Sequence, residues 1–508
     1  MAFDPKHLPD DPQILQQIIL DLLGRLDRES AERTKIENLL RELLDAKRGR
    51  KSEQLSQDQL ALFEAAWQQR NPEEAPTVTE EEKQPEADQP NNTKQKRGGR
   101  QPLAPHLKRE RIVHDLLQQE KHCTGCSKDL RLIGEEASER YEYIPASLLV
   151  IEDVCLKYAC DCTVRTASKP AQPIEKSTAG ASLLAQVIVG KFADHLPLHR
   201  QQTIFARHGV DLSRKTMGGW MGQCGDLLNP LYDSLKGFVL GSKVIGTDDT
   251  SVKVLDPKLT YARKGRFWPY CGDKDHRAII YDYTPTRQRA GPEKFLEGYK
   301  GYLQADAYGG YDAFFVNPAR GLIEVGCWAH SRRYYHKALE SDQARMGPVL
   351  LLIAQLYKIE EQARSFSAED RLALRQLKSR PVLDKLQAYL LEIQTELLPK
   401  SPARQAVRYV LKNWIALNRF CEDGNLEIDN NYTERSIRGI AVGRGNWTFL
   451  GSDNGGKTAA ILRSFVATCQ LNKIDPFAYL KDILSRIATH PINRISELLP
   501  NNWAAAQV

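Results

Sequence analysis

The chain has 508 residues, of which 41% are hydrophobic and 27% charged, and its formal net charge is +6. This length excludes a single compact core and predicts several domains of a soluble globular protein. No apolar run is long enough to span a bilayer, and the first residues lack the basic-then-apolar order of a signal peptide, so we expect a cytoplasmic protein that does not enter the membrane. The modest positive charge permits nucleic-acid binding but does not by itself indicate it.

Residues 1–70 are predicted to be helical. One heptad phase holds six aliphatic residues, interrupted near Gly24 by charged residues in the same phase: Leu15, Ile18, Leu22, Ile36, Leu39 and Leu43, with Arg25, Glu29 and Glu32 between them. The pattern indicates either a helical hairpin that packs on the rest of the protein or a coiled coil that self-associates. Residues 71–105 are rich in Pro, Glu, Gln, Asn and Lys, and we expect a disordered linker with a basic end.

The segment 106–175 contains a cluster of cysteines. Cys123 and Cys126 form a C-x-x-C pair, and Cys160 and Cys162 follow about thirty residues later. Four thiolates can enclose one structural Zn²⁺, and such a module often needs the metal to fold. Because C-x-C spacing strains chelation by both members of the second pair, Cys155 or His122 is an alternative ligand, and free thiols are the alternative to any metal site.

Residues 176–235 have the outline of a helix-turn-helix. One helix is predicted to end near His208 before the turn residue Gly209, and a second begins after Ser213, a favourable N-cap residue. Arg214 and Lys215 stand at the start of this second helix, where such motifs contact bases and phosphates. An ordinary helical domain gives the same spacing, so DNA binding is one of two interpretations.

Between residues 236 and 335 the sequence pattern predicts strands that alternate with short helices. Three consecutive strands are predicted in KVIGTDDTSVKVL, RFWPYCGD and AIIYDYTP, followed by a short helix at 293–299, the strand GYLQADAY, another short helix and the strand LIEVGC. This order predicts an α/β domain with a mixed sheet. Residues 336–425 are predicted to be a helical insertion, 426–465 to return to the α/β domain, and 466–508 to form closing helices.

Three carboxylates stand where this domain would bring them together. Asp248 ends the first predicted strand, Asp306 ends the strand GYLQADAY, and Glu434 lies where a helix begins after Asp429 or Asn430. Carboxylates that converge repel one another unless a divalent cation joins them, and two such cations catalyse phosphoryl transfer. Spacing alone leaves solvated surface charges as the alternative, because the chain has 65 acidic residues.

Several long motifs resemble the transposases of insertion-sequence family sixty-six. These motifs are GRKSEQLS, the cysteine segment ending in KYACDC, GYLQADAYGGYD with CWAHSRR, IDNNYTERSIRGIAVGRGNWTFLGSDNGG, and FVATCQLNKIDPFAYLKDIL. The resemblance covers nearly the whole chain outside the linker. It implies a multidomain α+β protein whose ribonuclease-H-like core, with its helical insertion, uses Asp248, Asp306 and Glu434 as an Asp-Asp-Glu triad that binds Mg²⁺ or Mn²⁺.

The sequence departs from the family pattern at a few positions. Asp249 replaces the usual Glu beside the first carboxylate, Gly439 replaces a Pro, Gly445 replaces a Lys, and the second cysteine pair is one residue shorter. These changes leave Asp248, Asp306 and Glu434 unaltered.

Basic residues near the carboxylates are candidates for DNA contact. Arg438 lies four residues after Glu434 on the same helical face, where it can pair with that carboxylate or contact the scissile phosphate. The further candidates, which also suit bidentate phosphate recognition, are Arg332, Arg333, Arg435 and Arg444.

The functional expectation is a DNA transposase that cleaves and joins strands at terminal inverted repeats and target DNA. We expect a homo-oligomer on DNA, associated with the bacterial nucleoid, and small accessory proteins of the same element as possible partners. The alternatives are a metal-dependent nuclease of the same fold that does not transpose, and a catalytically dead zinc-containing DNA-binding regulator.

Overall fold

The computed structural model describes residues 148–160, 163–166, 171–306 and 309–506, together with positions 59, 63, 64 and 67. The chain divides into two compact units, one of residues 1–75 with 155–508 and one of residues 76–154. Of the second unit the structure describes residues 148–154, which form no helix or strand. None of the helices in the described part of the chain is both long and apolar enough to cross a membrane.

A mixed sheet of seven strands forms the centre of the larger unit. Its strands are β3 (Val244–Thr247), β4 (Thr250–Val254), β5 (Arg263–Cys271), β6 (Ile279–Thr284), β7 (Gly301–Gln304), β8 (Leu322–Val325) and β9 (Phe449–Leu450). Strand β5 pairs antiparallel with β3, β4 and β6, whereas β7 lies parallel between β3 and β8, and β9 lies parallel to β4. A separate antiparallel hairpin precedes the sheet and consists of β1 (Lys157–Cys160) and β2 (Thr163–Thr166).

Three helices lead into the sheet: α1 (Ala181–Phe192), α2 (Leu198–Arg207) and α3 (Arg214–Leu240). Helix α2 ends where Gly209 adopts a φ of 77°, and the hydroxyl of Ser213 caps α3 by accepting from the backbone N–H of Thr216 at 3.1 Å. Both the turn and the cap agree with the sequence-based expectation. Helix α3 is also a core helix, because Trp220 and Leu228 on its length are buried.

Short helices connect the next strands: α4 (Ala290–Phe295) and α5 (Asp312–Phe315). A helical region then follows, with its own buried core, and consists of α6 (Trp328–Leu339), α7 (Gln343–Gln362), α8 (Ala368–Leu374), α9 (Arg380–Gln394), α10 (Pro402–Lys412) and α11 (Trp414–Asn418). Phe63 of the N-terminal segment is buried against Gly347 of α7, where even a Cβ atom would approach the Phe63 ring to 2.4 Å. This part of the N-terminal segment therefore packs on the helical region.

The chain returns to the sheet through α12 (Asn431–Trp447) and β9, and then closes with α13 (Asp453–Leu471), α14 (Pro476–Arg486) and α15 (Pro500–Ala506). Helix α13 covers the edge strand β6. The hydroxyls of Ser464 and Thr468 accept from the backbone N–H groups of Tyr281 at 2.8 Å and of Ile279 at 3.1 Å. Side chains of a helix thus satisfy backbone donors that an exposed edge strand would leave for another chain.

The mixed sheet and the helical insertion agree with the sequence-based expectation, with one correction in the strands. The stretch KVIGTDDTSVKVL, predicted to be one strand, is two strands that break at Asp248 and Asp249. The carboxylate of Asp248 accepts from the backbone N–H of Asp249 at 2.6 Å, a local bond that competes with the ladder. The break therefore places both acidic side chains at a turn instead of along a strand.

Candidate active site

Asp248 and Asp306 follow neighbouring parallel strands at matching positions. In the register of β3 and β7, Gly246 is opposite Gln304, and each aspartate comes two residues later. Adjacent strands lie about 4.8 Å apart, so the two carboxylates emerge side by side at the carboxyl edge of the sheet. Strands β3 and β7 are therefore neighbours in the sheet, which is the condition under which their ends bring the two carboxylates together.

Glu434 is brought to the same edge by the first turn of α12. Asn430 precedes this helix, and its side-chain amide donates to the carbonyl of Thr247, at the end of β3, at 2.8 Å. The helix approaches β3 so closely that a Cβ atom at Gly246 would lie 2.3 Å from the Thr433 hydroxyl. The helix start predicted near Asp429 or Asn430 is confirmed, and the absence of a side chain at position 246 lets Glu434 reach the aspartates.

The three carboxylates lie within electrostatic reach of one another. Burial, as the largest cause, and the nearby charges of Asp306 and Glu434 together raise the pKa of Asp248 to about 7. Burial also raises the pKa of Asp306, while His330 and Arg287 counteract that effect. Carboxylates that share a poorly solvated site hold their protons unless a cation compensates the charge.

Asp249 lies beside Asp248 in the chain but in a different environment. Its side chain is 2% exposed. A guanidinium nitrogen of Arg266 lies 2.6 Å from one carboxylate oxygen, and a guanidinium nitrogen of Arg287 lies 2.6 Å from the other. Two arginines therefore compensate the charge of Asp249 and occupy both of its oxygens. Sequence reasoning missed this pair of arginines, since they lie 17 and 38 residues away in the chain.

Glu434 contacts basic groups of α6. Its Oε2 lies 3.6 Å from a guanidinium nitrogen of Arg333, and its Oε1 lies 3.5 Å from Nδ1 of His330. Arg332 stacks over the ring of Tyr357, with 5.1 Å between the guanidinium carbon and the ring centroid. The arginine that pairs with Glu434 is thus Arg333, whereas Arg435 and Arg438 of α12 are exposed to solvent.

Arg444, another candidate for DNA contact, is engaged within the fold. Its guanidinium donates to the hydroxyl of Thr250 at 2.7 Å and to the carbonyl of Ser251 at 2.6 Å. These bonds fasten the end of α12 to β4. Arg214 and Lys215, by contrast, are exposed in the first turn of α3.

The donor set fits a divalent cation. Glu434 Oε1 and His330 Nδ1 are buried and have no hydrogen-bond partner within the described residues. Buried polar atoms in native proteins are nearly always satisfied, so orphaned donors and acceptors at one point indicate a ligand. Carboxylate oxygens are the ligands that Mg²⁺ and Mn²⁺ prefer.

The predicted zinc cluster lies outside what the structure describes. Cys123, Cys126 and Cys162 are beyond the described residues, as is the side chain of Cys160. Their role as zinc ligands therefore stays a prediction from spacing and resemblance.

Comparison with known families accounts for most of the chain. Residues 176–458 match the model described as Transposase IS66 family, 464–501 match the IS66 C-terminal element, 120–163 match the zinc-finger binding domain of transposase IS66, and 35–112 match Transposase C of IS166 homeodomain. The first of these spans the sheet, the helical region and all three carboxylates.

Three similar proteins come from Sinorhizobium fredii (strain NBRC 101917 / NGR234). The uncharacterized protein y4hP is 35% identical over 81% of this chain and 78% of its own length, and y4jD is 34% identical over 83% and 86%. A third, y4qI, is 33% identical over 80% of this chain and 77% of its own length. The matched models and the shared length lead to one conclusion: the chain belongs to the IS66 transposase family.

Proposed function

We propose that this transposase cleaves and joins DNA strands with the carboxylates of Asp248, Asp306 and Glu434. The observation that carries the proposal is the convergence of these three side chains from β3, β7 and α12 with their charge incompletely compensated. A fold gains nothing from such repulsion, so the arrangement is best explained by a bound cation that offsets it.

The order of the strands supports a ribonuclease-H-like core. The first strands in the chain are β3 and β4, which both pair antiparallel with β5, and β6, which pairs with β5 on its other side. Strands β7 and β8 then extend the sheet in parallel on the other side of β3. In open sheets of this kind, ligands bind at the carboxyl ends of the strands. The helical region enters between Asp306 and Glu434, where the resemblance to the family expects an insertion.

The chemistry follows from what each group can hold. Asp248, Asp306 and Glu434 would hold two divalent cations, Mg²⁺ or Mn²⁺, which when bound supply Lewis acidity to the attacking and leaving oxygens of the DNA backbone. Arg333, paired with Glu434, lies where its guanidinium can also meet the scissile phosphate. Asp249 keeps its two arginines and so fixes the turn that presents Asp248.

The DNA path is proposed from basic residues at the start of α3 and around the carboxylates. Arg214 and Lys215 would contact the element ends through the start of α3, and Arg332, Arg333, Arg435, Arg438 and Arg444 would contact the strand near the carboxylates. Arg444 already donates hydrogen bonds to β4, so it would contact DNA only after those hydrogen bonds are broken. A zinc module, self-association on DNA and accessory proteins of the element complete the proposal.

The test is single-turnover cleavage and joining of end DNA in Mg²⁺. Wild type should cleave, while Asp306→Asn and Glu434→Gln should fold, bind the same DNA and lose cleavage by roughly a thousandfold or more. The matched control is Glu427→Gln, which removes an exposed carboxylate seven residues before Glu434.

The outcomes separate the competing functions. Cleavage without joining would support the nuclease, and DNA binding without saturable Mn²⁺ binding would support the regulator. A Glu434→Gln protein that cleaves at the wild-type rate would defeat the triad assignment.

A further inference from the structure

One of the three carboxylates, Glu434, also belongs to a second group of ligand atoms that includes a sulfur and a nitrogen. Sγ of Cys327, a ring nitrogen of His330 and a carboxylate oxygen of Glu434 all lie within 4.8 Å of one another. Mg²⁺ prefers oxygen ligands, whereas a thiolate with an imidazole favours Zn²⁺ and related ions. This mixed donor set is therefore unlike the oxygen-rich set expected for strand cleavage.

We propose that Cys327, His330 and Glu434 form a binding site for a thiophilic divalent ion such as Zn²⁺, and that the ion inhibits the enzyme by withdrawing Glu434 from the aspartates. The binding itself stands on geometry alone. The inhibitory consequence rests on the proposed function, because it requires that Glu434 take part in cleavage.

The separation of the donor atoms suits one shared ion. Zn²⁺ binds nitrogen and oxygen at about 2.0–2.2 Å, so two such ligands of a tetrahedral site lie roughly 3.3–3.5 Å apart. His330 Nδ1 and Glu434 Oε1 are 3.5 Å apart, and neither has a hydrogen-bond partner within the described residues. The second oxygen, Oε2, faces Arg333 instead. Oε1 is thus the oxygen that an ion beside His330 would take.

Cys327 is a buried thiol with a raised pKa, so it becomes a thiolate only when a metal ion replaces its proton. It is the N-cap residue of α6, a helix of 12 residues, and the positive end of a helix stabilises a negative sulfur. The backbone N–H of Asn430 donates to its Sγ at 3.2 Å, and the backbone of His330 also hydrogen-bonds to it. Hydrogen bonds to a ligand sulfur are a regular feature of metal–thiolate sites.

Formation of the site needs no partner beyond the ion. The Cys327 thiol gives its proton to solvent as the sulfur–metal bond forms, and His330 binds through its neutral ring. Three protein ligands leave a fourth position for water. Since Cys327 is 1% exposed and His330 is near the surface of the site, the ion would enter from the side of His330 and Glu434.

The test is a Co²⁺ titration of the full chain, because a Co²⁺–thiolate bond gives an absorption band in the near ultraviolet. Wild type should bind one more Co²⁺ per chain, with more thiolate absorption, than Cys327→Ser. His330→Ala should weaken binding of that ion by roughly tenfold or more. The matched control is Cys421→Ser, another buried cysteine, and it should titrate like wild type. The cysteine-rich segment contributes equally to all four proteins.

Equal stoichiometry and equal thiolate absorption in wild type and Cys327→Ser would overturn the site. If Cys327→Ser does not fold by circular dichroism, His330→Ala decides the question at a partly exposed position.

A second measurement addresses inhibition. Zn²⁺ is titrated into single-turnover cleavage in Mg²⁺, with each protein compared with its own rate in Mg²⁺ alone. Wild type should lose cleavage at Zn²⁺ concentrations that Cys327→Ser tolerates, and equal sensitivity of the two proteins would overturn the inhibitory role. A wild type that never cleaves would refute the proposed function, while the Co²⁺ titration would still decide the site.

Discussion

The helical region and the carboxyl edge of the sheet both bury charge, but they compensate it to different degrees. In the helical region, Arg375 is fully buried and donates to both carboxylate oxygens of Glu360, at 2.8 and 2.7 Å. The same guanidinium donates to the carbonyls of Phe420, Asp423 and Leu426. At the sheet edge, Glu434 keeps an orphaned oxygen and burial raises the pKa of Asp248 to about 7.

Under the proposed function, the difference separates charge that serves the fold from charge that serves a ligand. A buried charge that holds the structure together needs every hydrogen bond it can make, since each missing partner costs free energy. A buried charge that binds an ion must keep its oxygens available. The same contrast recurs between the neighbours Asp249, which is paired with two arginines, and Asp248.

The largest effect is expected at Arg375. Arg375→Met should lower the free energy of unfolding by about 3–5 kcal/mol, because it leaves Glu360 and three carbonyls buried without their donor. Urea denaturation followed by circular dichroism measures this loss. The control is Lys378→Met, an exposed residue of the same segment, which should change stability little. Adding Glu360→Met should recover part of the lost free energy of unfolding. A double variant that is less stable than Arg375→Met would contradict this account.

A smaller effect of opposite sign is expected at Asp248, and it depends on pH. The pKa of this carboxyl is raised from 3.8 to about 7. Between these values the folded protein holds a proton that the unfolded chain has lost, so stability falls by roughly 1.4 kcal/mol for each pH unit. From 3.8 to about 7 this amounts to roughly 4 kcal/mol. Water that enters the site as Asp248 ionises offsets part of that cost, so Asp248→Asn should be more stable than wild type at pH 8 by about 2–3 kcal/mol, with little gain near pH 4.

The measurement is urea unfolding of both proteins from pH 4 to pH 8 without added divalent cation. A stability gap that does not widen with pH would mean that burial and the neighbouring carboxylates do not raise the pKa of Asp248 in the metal-free protein.

Local signals explain why the helices and strands near the site could be predicted. Gly209 and Ser213 marked a turn and a cap that the structure contains, and the β-branched runs marked the strands. The end of the first strand at Asp248 was predicted, but β4 was not recognised as a separate strand because the hydrophobic pattern continues through both. A local bond from Asp249 to Asp248 lies between them.

The triad was predicted through the resemblance, since spacing alone could not choose among many acidic residues. The partners of Asp249 could not be predicted, because Arg266 and Arg287 reach it across the sheet from distant positions in the chain. His330 and Cys327 were visible as a C-x-x-H spacing in CWAHSRR, but only the fold shows that Glu434 meets them.

Asp249→Asn should destabilise the protein, in contrast to Asp248→Asn. The substitution removes the charge on which Arg266 and Arg287 both converge, although both keep some contact with solvent, so we expect a loss of about 1–2 kcal/mol. The loss should shrink in high salt, where exposed parts of the guanidinium groups are screened. Thermal unfolding of the two single variants side by side at pH 8 measures the difference. If Asp248→Asn and Asp249→Asn changed the stability in the same direction, the distinction between paired and unpaired charge would be wrong.

The smallest effect is expected at Glu427, whose carboxylate is 60% exposed and lies 3.0 Å from Arg371. Water already solvates this ion pair, so Glu427→Gln should cost no more than about 0.5 kcal/mol, and less in high salt. The backbone carbonyl of the same residue accepts from the Gln304 amide at 2.7 Å and so joins the loop before α12 to β7. Because substitution leaves that bond intact, Glu434 should stay in place and end-DNA cleavage should stay within roughly twofold of wild type. A folded Glu427→Gln protein that has lost cleavage would instead make Glu427 the third carboxylate. The contrast at this edge between the solvated carboxylate of Glu427 and the partly buried carboxylate of Glu434 would then be wrong.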